Sequence, residues 1–145
     1  MNKACPAITR EREGRVELLA FNHPLAGKQI AKGTVEDGET LAAACVRELF
    51  EESGITASPT EFLGTWVPGY EDHKWGFYLM KCDSDLPDTW GFYTHDDGGH
   101  PFKFFWHPLN QELDDDWHEL FKGAIKFIEE ALTTGSRPIC KTPSA

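Results

Sequence analysis

The sequence predicts a single α/β domain, on three observations. Several short runs alternate apolar and polar residues, which is typical of strands in a half-buried sheet. Two longer segments repeat apolar residues at helical spacing. With 145 residues, the chain has room for one hydrophobic core and is short for two. We therefore expect one domain over residues 1–132 and a polar, disordered tail over residues 133–145.

The strands are predicted where apolar and polar residues alternate. The first two flank the turn Glu13-Gly14, and Pro24 and Gly27 mark a loop after the second. The acidic, Gly-rich segment 83–100 is predicted to be a long loop. The predicted strands are residues 8–12, 15–21, 28–31, 61–67, 73–82 and 102–107.

Two helices are predicted, and the first has clear ends. It covers residues 40–53, where Thr40 is suited to the N-cap or the first turn and Gly54 stops the helix. The second covers residues 111–132, whose apolar stripe of ordinary width indicates packing against the sheet.

The charge balance argues against several classes of protein. The chain has 24 acidic and 14 basic residues, a formal net charge of −10. Non-specific nucleic-acid binders draw their affinity from Lys and Arg on phosphates, so we expect no nucleic-acid polymer as a partner. No apolar run approaches the ~20 residues that cross a bilayer, and residues 1–15 do not resemble a secretory signal. We therefore expect a cytoplasmic protein with no membrane partner.

The cysteines do not indicate a zinc site. They are Cys5, Cys45, Cys82 and Cys140, and no two of them form a C-x-x-C pair. Because nothing indicates an oxidising compartment, buried or incidental thiols are the better interpretation.

The first helix carries an acidic face. Glu48, Glu51 and Glu52 stand at i, i+3 and i+4, so they share one side of the helix about one turn apart. Like charges at this spacing destabilise a bare helix, unless they hold a hard cation such as Mg²⁺ or Mn²⁺. Glu39 lies at the helix start, and Arg47 can brace a carboxylate one turn on. The alternative is a solvated acidic surface, which is common in a protein this acidic.

The whole segment from residue 33 to residue 55 carries more information than its helix. It resembles the Nudix box, G-x5-E-x7-R-E-U-x-E-E-x-G-U, where U is an aliphatic residue. Agreement at every fixed position is very improbable by chance, and it favours the metal-binding interpretation. The resemblance implies the Nudix fold, an α/β/α sandwich with a mixed β-sheet and a loop-helix-loop catalytic motif. The matching residues are Gly33, Glu39, Arg47, Glu48, Leu49, Glu51, Glu52, Gly54 and Ile55.

The resemblance also implies a metal site. Carried over by position, Glu48, Glu51 and Glu52 would be metal ligands, helped by the backbone carbonyl near Lys32 or at Gly33. The expected cofactor is Mg²⁺, with Mn²⁺ as a substitute, because carboxylate oxygens select such hard cations.

Two other fixed positions of the box would support catalysis. Glu39 and Arg47 would orient the three metal ligands by hydrogen bonding and ion pairing. The metals would spread the charge that develops on a diphosphate and lower the pKa of a water that attacks phosphorus in line. In some relatives a box glutamate deprotonates or steers this water, and in others an acid on a later loop does so.

Residues outside the box are candidates for substrate binding. Asp96 and Asp97 are such later acids, although Asp-Asp-Gly-Gly is also plain turn chemistry. Many relatives have Gly or Ala where this chain has Lys32, a change that would either alter the shape of the loop or place an ammonium near the phosphates. His23 either touches the substrate or shapes its loop, and Trp90 either covers the substrate or packs against a partner subunit.

The function implied by the resemblance is hydrolysis by a Nudix-type pyrophosphohydrolase. The enzyme would cleave a diphosphate linkage in a nucleoside diphosphate derivative or a nucleoside triphosphate, so the partner is a small phosphorylated, nucleotide-like molecule. Many relatives are homodimers, but no residue here indicates a dimer. The alternative is a catalytically silent Nudix-fold module that binds nucleotides or regulates. Such modules usually lose box glutamates, and this chain has lost none.

Overall fold

The structure is a computed structural model that describes residues 2–69, 72–95 and 98–133. Its described residues form eight strands and two helices. In chain order these are β1 (Asn2–Arg12), β2 (Arg15–His23), β3 (Gly27–Gln29), β4 (Gly33–Thr34), α1 (Leu41–Ser53), β5 (Ala57–Trp66), β6 (Lys74–Cys82), β7 (Trp90–Thr94), β8 (His100–Pro108) and α2 (Glu119–Thr133).

The sheet is mixed, and β1 is the strand on which it divides. The strand order is β5-β6-β1-β2-β8-β7, with β3 paired to β2 and β4 paired to β1. Residues 2–8 of β1 run parallel to β6, whereas residues 9–12 pair antiparallel with β2. β1 therefore pairs with β6 along its first part and with β2 along its second part. The sheet opens into a wedge-shaped gap on each side of β1, where the strand is not paired with that neighbour.

Each face of the sheet is covered by one helix. Residues of β1 alternate between the faces, with Ala4 and Ile8 in the core beneath α1, and Cys5 and Ala7 in the core beneath α2. Two apolar layers between a sheet and two helices make an α/β/α sandwich, which confirms the predicted fold class. The buried helix residues are Ala44, Cys45 and Leu49 in α1, and Phe121, Ala124, Ile125 and Ile128 in α2.

The predicted strands are present, but the first is much longer than the alternating pattern indicated. β1 begins at Asn2 rather than at Ile8. Its residues from Ala4 to Ile8 are all buried, because helices cover both faces there. A strand that is buried on both faces has no polar alternation, so the pattern could not reveal it.

The prediction of a loop over residues 83–100 was wrong in one part. Residues Trp90–Thr94 form β7, which pairs antiparallel with β8. The Trp90 ring stacks on Phe104 with ring centroids 4.9 Å apart and an interplanar angle of 8°. This strand therefore depends on contacts with a distant neighbour, which the polar and glycine content of the segment obscured.

The second helix begins later than predicted, at Glu119 instead of at residue 111. The backbone N–H of Asp116 donates to Asp114 Oδ1 at 3.0 Å, and the N–H of Trp117 donates to the Asp114 carbonyl at 3.2 Å. Such turns compete with helix, which is why Asp favours positions before a helix. The apolar periodicity continues through this turn because Trp117 is itself buried.

Two predictions fall on residues outside the described ranges: the acids Asp96 and Asp97, and nearly all of the tail over residues 133–145. Among the described residues, neither helix is long and apolar enough to span a membrane.

Candidate functional site

The helix α1 presents the acidic residues because both of its ends are fixed. The Thr40 hydroxyl accepts a hydrogen bond from the N–H of Ala43 at 3.1 Å, as an N-cap does. Gly54 adopts a left-handed φ of 79°, and its N–H donates to the Phe50 carbonyl at 2.9 Å. With Leu49 on the face that enters the core, the glutamates of the last turns point to the opposite side.

One guanidinium, that of Arg47, holds together most of the acidic residues. Its Nε and Nη2 donate to the two carboxylate oxygens of Glu39 at 2.7 and 2.8 Å. Its Nη1 donates to Glu48 at 2.7 Å and to Glu51 at 3.1 Å. A further bond runs from Nη2 to the Thr34 carbonyl at 3.0 Å, which ties the helix to β4. Five donor contacts from one planar group fix the relative positions of three carboxylates.

The same contacts keep Glu39 and Arg47 charged. Hydrogen bonds from Arg47, and then the backbone bond from Glu36, lower the pKa of Glu39 to about 2. The carboxylates, Glu39 first, raise the pKa of Arg47 well above its usual value. The Glu39–Arg47 pair therefore stays ionised throughout the pH range in which enzymes normally work.

Gly33 and Glu48 are in close contact. Glu48 is 7% exposed, and its carboxylate lies where a Cβ on residue 33 would be. Only glycine leaves room for the carboxylate to lie against this backbone. The close approach explains why the motif begins with glycine although Gly33 does not have the left-handed conformation.

A cavity of about 460 Å³ opens beside these residues. It lies in the wedge-shaped gap between two strand pairs, β1–β4 on one side and β2–β3 on the other. One wall is acidic and the other is mainly aromatic and basic. Within it, Glu52 accepts a hydrogen bond from the backbone N–H of Lys32 at 3.3 Å. The lining residues are Lys3, Phe21, His23, Gln29, Ile30, Lys32, Gly33, Thr34, Glu36, Arg47, Glu48, Glu51, Glu52, Phe102 and Phe121.

A family model of the NUDIX domain matches residues 3–126 of the chain. The chain belongs to the NUDIX domain family. The prediction made from residues 33–55 is thus confirmed over most of the sequence. Membership also supports the predicted class of enzyme, a Nudix-type hydrolase.

Solved Nudix structures have the same fold at low sequence identity. An ADP-ribose pyrophosphatase from Streptococcus suis 89-1591 matches with a TM-score of 0.66 and 12% identity, covering 94% of this chain and 95% of that one. The MutT NUDIX hydrolase from Burkholderia pseudomallei matches with a TM-score of 0.59 and 18% identity, over 88% and 98% of the two chains. The NUDIX domain of Shewanella oneidensis NrtR, solved with ADP ribose, gives 0.60 and 15%, over 92% and 88%.

The residues predicted from the Nudix box meet at this one cavity. Gly33, Arg47, Glu48, Glu51 and Glu52 all line it. Glu39 is held at its edge through Arg47.

Of the predicted substrate-binding residues that the structure describes, two line the cavity and one does not. Lys32 and His23 line the cavity. The Nδ1 atom of His23 also accepts the N–H of Leu25 at 3.0 Å, so this histidine shapes its loop as well. Trp90 does not line the cavity and instead stacks on Phe104. This packing explains a tryptophan at the position without any contact to a substrate.

The opposite wall consists largely of residues that the sequence did not single out. Phe21 and Phe102 stack with ring centroids 4.2 Å apart, and Phe121 reaches the cavity from α2. His100 lies behind this wall, with its ring 4.6 Å from that of His23. No local motif marks these positions, because strand pairing and helix packing bring them together from distant parts of the chain.

The Nudix carboxylates fit a hard cation by their chemistry, although their present contacts are with protein donors. Within the described ranges, no three Asp, Glu, His or Cys side chains form a ready metal-binding group. Glu48 and Glu51 contact Arg47, and Glu52 contacts the Lys32 amide. Carboxylate oxygens beside an uncovered glycine backbone are nevertheless the donors that Mg²⁺ prefers. A cation would therefore share these carboxylates with Arg47.

A larger cavity, about 980 Å³, opens in the other wedge, beside the second half of β1. None of the Nudix box residues lines it. Its most prominent cation, Arg10, lies 4.4 Å from the Trp106 ring centroid and is paired with Glu17 and Asp88 at 2.8 and 2.9 Å. Because the Nudix box residues line the smaller cavity and not this one, we place the functional site in the smaller cavity.

Proposed function

We propose that this Nudix protein is a Mg²⁺-dependent hydrolase that cleaves a diphosphate linkage in a nucleoside diphosphate derivative or a nucleoside triphosphate. The observation that carries the proposal is the convergence of Glu48, Glu51 and Glu52 with Gly33 on one cavity, where Arg47 braces Glu48 and Glu51. Mn²⁺ is the expected substitute, because it prefers the same oxygen ligands.

The roles of the acidic residues follow from their positions. Glu48, Glu51, Glu52 and the backbone at Gly33 would hold the cation. A bound Mg²⁺ would neutralise the diphosphate oxygens and activate a water molecule for attack on phosphorus. Arg47 would keep the carboxylates in register as the substrate enters. Glu51, whose side chain is 41% exposed, is the ligand that can adjust most readily.

The opposite wall supports a nucleotide-like substrate. Phe21, Phe102 and Phe121 are buried behind this wall, and His23 and Lys32 add polar groups at the same cavity. Basic side chains of this kind pair with phosphate oxygens. Two of the similar structures are an ADP-ribose pyrophosphatase and a NUDIX domain with ADP ribose, so ADP-ribose belongs first in any substrate panel.

The test is release of monophosphate or phosphate from nucleoside triphosphates, ADP-ribose, nucleotide sugars and dinucleoside polyphosphates. Each reaction is run with Mg²⁺, with Mn²⁺ and with EDTA. Glu52→Gln is the inactivating variant, and Glu130→Gln, on the exposed surface of α2, is its matched control. We expect turnover that requires the cation, is lost in Glu52→Gln and is unchanged in Glu130→Gln.

A second candidate function is a catalytically silent module that binds a nucleotide. The observation that favours it is the engagement of Glu48 and Glu51 by Arg47, which competes with a cation. Binding of panel nucleotides that survives Glu52→Gln, with no turnover in any metal condition, would support this function over hydrolysis.

A further inference from the structure

Lys32 lines the candidate cavity, and its ammonium group lies over two adjacent aromatic rings. Its Nζ lies 5.7 Å from the ring centroids of Trp75 and Phe121. Trp75 and Phe121 are both buried, so they form a rigid support on the α2 side of the sheet. The backbone is fixed as well, because the Lys32 N–H donates to Glu52.

The hydrogen-bond donors of this ammonium have no acceptor among the residues that the structure describes. It lies instead over the faces of the two rings. Lys28 offers a direct comparison, because its Nζ also lies 5.7 Å from a ring, that of Phe105, yet it pairs with Asp114 at 3.3 Å. An ammonium has three donors, and a partly buried one without an acceptor is costly. A ligand in the cavity would supply the missing acceptor.

The charge of the cavity indicates which ligand this is. Four glutamates and three basic residues line it, so its formal charge is −1 with histidine neutral. Arg47 is fully engaged by carboxylates, and Lys3 donates to the Thr34 hydroxyl at 2.8 Å. Lys32 is therefore the lining cation best able to meet a phosphate oxygen directly.

We propose that Lys32 binds a phosphate of the substrate on the side away from the Nudix carboxylates, and that its ammonium takes the place of a further divalent cation. The proposal rests on the proposed function for the identity of the substrate. It assigns a phosphate chain that spans the cavity, from the carboxylates to the Trp75 and Phe121 side. Fixed ammonium groups and Mg²⁺ ions neutralise phosphate oxygens in equivalent ways.

The experiment is calorimetric titration of inorganic pyrophosphate, in the presence of Mg²⁺, into four proteins. These are the natural protein, Lys32→Met, Lys32→Arg and the control Lys28→Met. Methionine keeps an apolar stem against the rings and removes only the charge. A lost charge-assisted hydrogen bond should weaken binding roughly tenfold to a hundredfold in Lys32→Met. Lys32→Arg should recover part of the affinity, and Lys28→Met should bind as the natural protein does.

The kinetic companion measures KM, kcat and the Mg²⁺ concentration for half-maximal rate on the best panel substrate. Lys32→Met should raise KM and require more Mg²⁺, with kcat much less affected. Pyrophosphate binding that is equal in Lys32→Met and the natural protein, or absent in both, overturns the role of Lys32 even in an active hydrolase. A Lys32-dependent binding signal in a protein without turnover would retain the phosphate site and reject the hydrolase.

Discussion

Replacing Gly33 by alanine tests whether the contact between this backbone and Glu48 builds the metal site. A Cβ at residue 33 would occupy the space of the Glu48 carboxylate. The carboxylate cannot simply move aside, because Glu48 is buried and its Oε2 accepts from Arg47 at 2.7 Å. We expect Gly33→Ala to displace one metal ligand while the rest of the fold remains.

The expected effects on stability and activity differ in size. Overpacking typically costs about 1–3 kcal/mol. Because Gly33 lacks a left-handed φ, alanine also restricts the unfolded chain, which offsets about 0.4–1 kcal/mol of this cost. The free energy of unfolding should therefore fall by no more than ~2.6 kcal/mol. Disturbed metal coordination commonly costs about 10–100-fold in metal affinity or activity.

The assay compares Gly33→Ala with Gly91→Ala. Gly91 is also a strand glycine without left-handed φ, and its added Cβ would meet only the Phe102 carbonyl at 3.8 Å. Urea unfolding gives stability, and rates over a range of Mg²⁺ concentrations give the metal requirement. A Gly33→Ala protein with the activity and Mg²⁺ dependence of Gly91→Ala would refute the assignment of Glu48 and Gly33 to the metal site.

Three further predictions concern Arg47 and the carboxylates it contacts, the N-cap of α1 and a buried histidine. Arg47→Lys keeps a charge but cannot hold Glu39 and the proposed metal ligands at once, so kcat should fall by about tenfold or more. Steady-state kinetics measure this, and an unchanged kcat would exclude the bracing role of Arg47. Thr40→Ala removes the N-cap of α1 and should cost about 0.5–2 kcal/mol in urea unfolding, with KM unaffected. Burial lowers the pKa of His107 below its usual 6.5, so the unfolded chain binds the proton more readily. The contribution to stability is complete above pH 6.5 and is lost as the pH falls from 6.5 to the lower pKa of the folded protein. Between pH 7 and 5 the natural protein should lose more stability than His107→Phe, and parallel losses would contradict this.

The first helix and its acidic face could be predicted because their signals are local. Thr40 and Gly54 mark the helix ends, and the spacing of Glu48, Glu51 and Glu52 places them on one side of any helix. The bracing of Glu51 by Arg47 also follows from their i, i+4 spacing along the helix. The bond from Arg47 to the Thr34 carbonyl depends on β4 and was not predictable.

The other half of the site was hidden because it depends on contacts between distant residues. Phe21 and Phe121 reach the cavity from β2 and α2, one hundred residues apart along the chain. β7 was missed because the polar, glycine-rich composition of its segment obscured a strand that pairing with β8 and the stack on Phe104 hold in place. The Asp114 turn hid the helix start, because a buried Trp117 continues the helical pattern through non-helical backbone.

The pairing of β4 with the beginning of β1 places the N-terminal residues beside the first residue of the Nudix box, a link that no sequence motif assigns. Lys3 pairs with Thr34 and Ala4 with Gly33, and the Val35 N–H donates to the Asn2 carbonyl at 3.1 Å. A purification tag or fusion partner joined directly before Asn2 would attach to the strand that holds the first residue of the Nudix box. Activity measured on such a protein would depend on the linker, so a tag at the other end, or a removable one, is the safer design for every assay described above.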